Sequence, residues 1–188
     1  IWEYTDSIQL VPGFPFAVEV FAGPKEYTWL NDDTLVRRCV FKNNTDFGFI
    51  GSSTLDNCRF VENKAGALLH GRVTNSSFTG NQYALAYNFR TFIYDCSIID
   101  NHYGILSYNF NSNDPVYLSV MPDSMIAKRN CICNNFYNLR TPWVNQTWDF
   151  TGNYWCDTDS ASIAASIVDA YDSASYMGIV DFMPFDTV

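Results

Sequence analysis

Five residues could together grip an acidic sugar. Counting from asparagines that recur along the chain, His70, Asn88 and Tyr108 stand seven places after one, and Arg72 and Arg90 stand nine places after. Strand side chains alternate, so both offsets can face one side. Arginine pairs bidentately with a carboxylate. His70, Tyr108 or an arginine would be asked to take the proton alpha to that carboxylate if a lyase reaction were run there. An ordinary solvated stripe of stacked side chains would look the same, and the stripe is a candidate glycan-binding surface with no catalytic residue assigned.

Other chemistry is thinner. Asp157 and Asp159 form a D-x-D, and Asp95, Asp100 and Asp149 lie elsewhere. No acid recurs from coil to coil, so no metal ligand is named and calcium is the only ion the acids would suit. D-T-D before a helix reads first as capping and turn chemistry. There is no G-x-S-x-G, no H-E-x-x-H and no phosphate loop. An enzyme is the weaker expectation.

Six cysteines, Cys39, Cys58, Cys96, Cys131, Cys133 and Cys156, form no C-x-x-C pair, and only two histidines are present. Zinc is disfavoured and three disulfides are expected. Sequons at Asn43, Asn75 and Asn145 agree with a secreted glycoprotein, outside the cell or at its surface.

These residues are positioned by a repeat. Asn44, Asn63, Asn81, Asn101, Asn135 and Asn153 are separated by 19, 18, 20, 34 and 18 residues. A bulky apolar residue precedes each by three places: Phe41, Phe60, Phe78, Ile98, Ile132 and Phe150. A period near nineteen is one supersecondary unit stacked on itself, too short for helix-turn-helix repeats. Strand-forming stretches such as 91–94, 96–99 and 104–108 favour a β-coil. Asparagine suits the sharp turn, because it tolerates the left-handed conformation, and stacked asparagines can form a hydrogen-bonded ladder. The apolar residues would form one inward column.

The expected fold is therefore all-β: a right-handed parallel β-helix of about six coils with a C-terminal helix–strand cap. Residues 1–35 are an N-terminal segment or first coil, 36–156 the coils, and 157–188 the cap of a single domain. An insertion near 109–125 fills the long gap and is a candidate recognition loop. The cap helix is expected over 161–171, with Asp159 or Ser160 as its N-cap and Ile163, Ile167 and Tyr171 on one face. Gly178–Phe182 is expected as the last strand.

Column counting also sets cysteine neighbours. Cys39, Cys58, Ser76 and Cys96 lie five places before a ladder asparagine. Cys39 with Cys58, Cys96 with Cys131, and Cys133 with Cys156 is one of roughly fifteen connectivities that six cysteines allow.

The chain resembles the right-handed parallel β-helix repeat proteins of the pectate-lyase-like group. Two stretches carry the resemblance. One is Phe60-Val61-Glu62-Asn63-Lys64-Ala65-Gly66-Ala67. The other is Asn153-Tyr154-Trp155-Cys156 followed by Ile163, Ile167, Asp169 and Gly178-Ile179-Val180-Asp181-Phe182-Met183-Pro184-Phe185. Cys156 replaces the glycine usual after that tryptophan. The resemblance covers about residues 36 to 185 and implies a fold that serves lyases, epimerases and adhesins alike.

The remaining composition narrows the partners. A net charge of −9 argues against nucleic acid and anionic membranes. No apolar run is long enough for a membrane span. The chain starts at Ile1 and reads as a mature or excised product. Aromatics make up 17% of it. Tyr4, Trp29, Tyr83, Tyr103, Tyr137, Trp143 and Trp148 exceed what the core columns need. Aromatic faces stack on sugars, and exposed patches mark protein interfaces; interfaces are favoured. The expected function is an extracellular structural or adhesive protein, a self-assembling protomer of a surface filament or extracellular assembly. Its partners would be copies of itself or other extracellular proteins. The alternative is a polysaccharide-binding module or polysaccharide lyase.

Overall fold

Residues 35–107, 125–141, 147–172 and 178–187 are described by a computed structural model, with backbone alone at 52, 70, 87–90 and 107. The expected N-terminal segment, the interior of the 109–125 insertion, Asn145, Tyr4, Trp29, Trp143 and Tyr108 lie outside the described residues.

The fold follows from two sharp bends in each coil. Each bend places one residue in the left-handed region, where Asn, Asp and Gly are least penalised. At the first bend these are Arg38, Asn57, Asn75, Asp95, Arg129 and Gly152; at the second, Asn43, Glu62, Gly80, Asp100 and Asn134. Every one immediately precedes a residue that stacks along the axis. The ladder asparagines themselves are not left-handed. Their predecessors make the bend, which frees the ladder side chain to turn inward.

Among the described residues fifteen strands join these bends: β1 (Leu35–Arg37), β2 (Val40–Lys42), β3 (Phe47–Asp56), β4 (Arg59–Val61), β5 (Ala65–Thr74), β6 (Ser77–Thr79), β7 (Tyr83–Tyr94), β8 (Ser97–Ile99), β9 (Tyr103–Ser107), β10 (Ile126–Lys128), β11 (Cys131–Cys133), β12 (Tyr137–Arg140), β13 (Thr147–Asp149), β14 (Ile167–Val168) and β15 (Ile179–Asp181). All pairings between them are parallel. The short strands stack as β2–β4–β6–β8–β11 in a five-stranded sheet, and the rest form a ten-stranded sheet. This is a parallel β-helix. After β7 the larger sheet forks: β9, β12 and β14 continue its first half, and β10, β13 and β15 its second.

Inward residues of the two sheets meet in one core. Phe41, Phe60 and Phe78 stack with ring centroids 4.7 and 4.6 Å apart, and Ile98 and Ile132 continue their register. Opposite them run Leu55, Val73, Ile93 and Ala127. Phe150 belongs to this second column, not to the first, because Asp149 pairs with Ile126. Trp155 stands above Ile132 instead, since Tyr154 bridges to Cys131. Trp148 is also core, at 5% exposure.

The cap helix α1 (Ser160–Ala165) is shorter than expected. Asp159 is its N-cap, accepting from the Ser162 N–H at 3.0 Å. It stops because the β-branched pair Ile167-Val168 leaves the helix to pair with β12 as β14. Ile163 and Ile167 are buried as predicted, whereas Tyr171 is 82% exposed. Buried Asp169 then ties the end of the chain down, accepting from the Tyr171 N–H at 2.9 Å and the Val180 N–H at 3.0 Å.

Candidate functional site

Two hydrogen-bonded ladders hold the coils in register. In the first, the backbone N–H and side-chain amide of Asn63 both donate to Asn81 Oδ1 at 2.9 Å, and those of Asn81 donate to Asn101 Oδ1 at 2.9 Å. Asn44 and Asn135 complete it. Asn153 does not belong. It sits in a parallel column formed by Cys39, Cys58, Ser76, Cys96, Asn130 and Asn153. There the Cys58 N–H donates to Ser76 Oγ at 3.0 Å, the Cys96 N–H to Asn130 Oδ1 at 2.9 Å, and both Asn130 donors to Asn153 Oδ1 at 2.9 Å. The spacing of 18 mimics one coil, but it runs from one bend to the other.

Of the glycan stripe, the register separates Arg72 from Arg90. Arg72 has Thr54 on one side and Phe92 on the other, so Arg90 is not its axial neighbour. Between Leu69 and Gly71 one residue of β5 stands against three of β7. Gly71 marks that place: its φ is 137°, and a Cβ there would run into the Ser53 carbonyl oxygen. Exposed Arg72 lies over Phe92 and Tyr94, 6.0 and 5.8 Å from the ring centroids. Its neighbours on the sheet, a threonine and a phenylalanine, supply neither acid nor base. The side chains of His70, Asn88 and Arg90, and all of Tyr108, lie outside the described residues.

The acids are engaged in structure. Asp157 Oδ1 accepts from the N–H groups of Thr158 and Asp159 at 2.7 and 2.9 Å, and Asp159 Oδ2 takes the Ser162 N–H and hydroxyl. One oxygen of each carboxylate is thus engaged by turn and cap donors. Asp95 is held below the usual carboxylate range by the Arg129 guanidinium, which reaches it twice, at 2.8 and 2.7 Å.

One of the three expected disulfides is present, Cys133–Cys156. Cys39 and Cys58 do stand on adjacent coils, but as buried free thiols. Each turns to a backbone carbonyl, Cys39 Sγ to Arg37 O at 3.4 Å and Cys58 Sγ to Val36 O at 3.5 Å. Cys96 and Cys131 are free as well. Asn130, not Cys131, follows Cys96 in its column, and burial pushes the Cys96 thiol up to about 12.

The surface feature that the register does create is aromatic. Tyr83, Tyr103 and Tyr137 pair in register and stack with centroids 5.3 and 5.4 Å apart. Beside them His102 stacks on Phe136 at 5.0 Å, and Phe136 is 67% exposed. His102 meets Tyr103 edge-on at 4.7 Å, as Phe136 meets Tyr137. These residues follow ladder asparagines at plus one and plus two, so the ladder bends aim them outward. The sequence signal was N-x-Y at three successive ladder positions: Asn81, Asn101 and Asn135. Tyr103 is stacked on both faces, between Tyr83 and Tyr137, so the middle ring offers no open face. A pyranose needs an open ring face, while a protein surface packs well against edges.

No known protein family, curated protein or solved structure matches this chain.

Proposed function

We propose that this protein is an extracellular structural or adhesive β-helix module that packs against other protein surfaces, its own copies included, through the aromatic column of Tyr83, His102, Tyr103, Phe136 and Tyr137. The observation that carries the proposal is that column: five aromatic side chains fixed by the coil register, with Phe136 largely exposed. Exposed apolar patches set on a rigid scaffold mark interaction surfaces. The Cys133–Cys156 disulfide fits an oxidising compartment. Asn43 and Asn75 stand exposed at coil bends and are available to a glycan. The finer placement, as a non-catalytic member of the pectate-lyase-like right-handed β-helices, is supported by the C-terminal stretch. There Trp155 and Val180 enter the core with Phe182 and Phe185 packed against it.

The test is sedimentation and small-angle scattering of the native chain over a wide concentration range. A variant carrying His102→Ser, Tyr103→Ser and Phe136→Ser is run in parallel. Association in the native protein that the variant loses supports the proposal. A strict monomer at high concentration sinks self-assembly. Unsaturated product from polygalacturonate or alginate would reinstate the lyase in its place.

A further inference from the structure

Three sulfur atoms meet where β11 passes the last coil. Cys131 and Cys133 are two residues apart on β11 and lie on the same face. Cys133 is 1% exposed and bonded to Cys156, which is exposed and held at a φ of 59° just after Trp155. Cys131 is half-buried, and its Sγ lies 3.3 Å from the Cys133 Sγ, closer than an ordinary contact of about 4 Å. All three sulfurs lie within 4.8 Å of one another. Cys133 therefore has one bonded partner and a second thiol in contact.

We propose that Cys131 is the nucleophile of an internal disulfide exchange that presents Cys156 as a reactive surface thiol, a coupling site for thiol-reactive electrophiles and disulfide-bearing partners. Cys131 gives its proton to water. Its thiolate lone pair forms the bond to Cys133 Sγ, the Cys133–Cys156 bond breaks, and that electron pair leaves on Cys156 Sγ, which then takes a proton from water. One disulfide and one thiol stand on each side, so no oxidant or reductant is needed. The leaving sulfur is the exposed one, where water stabilises its thiolate, and that favours departure of Cys156.

The resting bond spans 5.5 Å between Cα atoms. Residues i and i+2 of a strand stand about 6.6 Å apart, near the upper end of what a disulfide bridges. The exchanged form is thus the less favoured one, and capture of Cys156 draws it out. Burial pushes the Cys131 thiol up, beside a shallow depression lined by Arg129, Tyr154 and Asp186, which keeps exchange slow near neutral pH.

Peptide mapping tests this directly. Trypsin places Cys131 and Cys133 together in residues 130–140 and Cys156 in residues 141–188. The folded protein is incubated with iodoacetamide, quenched in acid, digested without reductant and weighed. The expected result is loss of the linked pair. It gives way to a 141–188 fragment alkylated at Cys156 and a 130–140 peptide two hydrogens lighter than its dithiol form. Alkylation confined to Cys131, with the two peptides still linked, would overturn the proposal. In Cys131→Ser the link should persist and Cys156 stay unlabelled; release of Cys156 in that variant would also overturn it. Unlabelled Cys39, Cys58 and Cys96 report that the fold is intact, and the wild-type map decides alone if the variant does not fold. A Cys156→Ser variant in a glutathione redox buffer should close the Cys131–Cys133 bond, and a persistent dithiol there would count against the exchange.

Discussion

The side-chain amide of Asn135 donates to Asn138 Oδ1 at 2.9 Å, and with that bond the asparagine ladder leaves the coil axis and enters the cap. Asn138 passes it on to Ser166 Oγ at 2.9 Å, and Ser166 donates to the Ile163 carbonyl at the end of α1. The side-chain amide of the last rung is thus satisfied, its hydrogens taken by the Ile98 carbonyl and Asn138 Oδ1. A buried, stacked amide with no following coil would otherwise be left without an acceptor.

Removing a middle rung should cost more than removing the last. Asn81→Ala strips the acceptor from two donors of Asn63 and takes the side-chain donor from Asn101 Oδ1, which keeps the backbone N–H of position 81. The expected loss is roughly 2–4 kcal/mol in urea unfolding. Asn138→Ala disturbs one donor of Asn135 and frees Ser166, at the end of the stack, for about 1–2 kcal/mol. Equal losses at the two sites would contradict a ladder whose strength lies in its interior.

The aromatic core column makes a steeper prediction. Phe60 lies between Phe41 and Phe78, 0% exposed and stacked on both. Phe60→Ala should cost about 3–5 kcal/mol, and Phe60→Leu, which keeps most of the volume, under about 1.5 kcal/mol. Chemical denaturation of both variants checks the ranking.

How much of this was legible depends on where one counts from. The period, the Phe41–Phe60–Phe78 column and the capping Asp159 follow from local spacing, because each is fixed within a few residues of a bend. Asn153 was misplaced because both bends of a coil need the same pair, a left-handed residue and a small polar one after it, and spacing does not tell them apart. Arg72 and Arg90 are kept apart for a reason also written in the sequence. Asn81 to Asn101 is 20 residues where Asn63 to Asn81 is 18. The two extra residues sit in the second half of β7, so positions there align when counted back from the next asparagine. Counting back nine from Asn101 gives Phe92, which is the residue that pairs with Arg72. The Cys39–Cys58 bond was beyond reach, since a column places two Cβ atoms but not the rotamers that turn both sulfurs to carbonyls.

Acid should destabilise the protein through named carboxylates. Burial pushes Asp56 up, but hydrogen bonds from Asn75 and Thr74 and the Arg37 guanidinium at 2.7 Å outweigh it and hold the group down. Burial likewise opposes Lys128 and Thr151 at Asp149, and the partners win. A carboxylate held below its unfolded value of about 3.9 stabilises the fold above that pH, and the contribution is lost as pH falls through the folded value. Asp56→Asn should therefore lower stability at pH 7, while its unfolding curve starts to approach the wild type below about pH 4 and meets it only below the folded value of Asp56. Parallel curves for the two proteins down to the acid limit would show that Asp56 carries none of the pH dependence.

The second ladder can be extended by one residue. Its upper part, Asn130 and Asn153, repeats the geometry of the first: backbone and side-chain donors of one converge on Oδ1 of the next at 2.9 Å. Below it Cys96 contributes only its backbone N–H to Asn130 Oδ1, and its buried thiol turns to the Tyr94 carbonyl at 3.2 Å. Cys96→Asn supplies the missing amide donor beside an acceptor already in place, and its second hydrogen can take a carbonyl of the coil below, as Asn130 takes Ile93 O at 3.0 Å. Asp95 already provides the left-handed predecessor that every rung requires, with a φ of 56°. The expected gain is about 1 kcal/mol, the net worth of one buried hydrogen bond. Thermal and urea unfolding against Cys96→Ser separate that gain from the removal of the thiol. A destabilised Cys96→Asn with an unaffected Cys96→Ser would show that this column is too narrow for an amide at that level, and that its cysteines are there for their size.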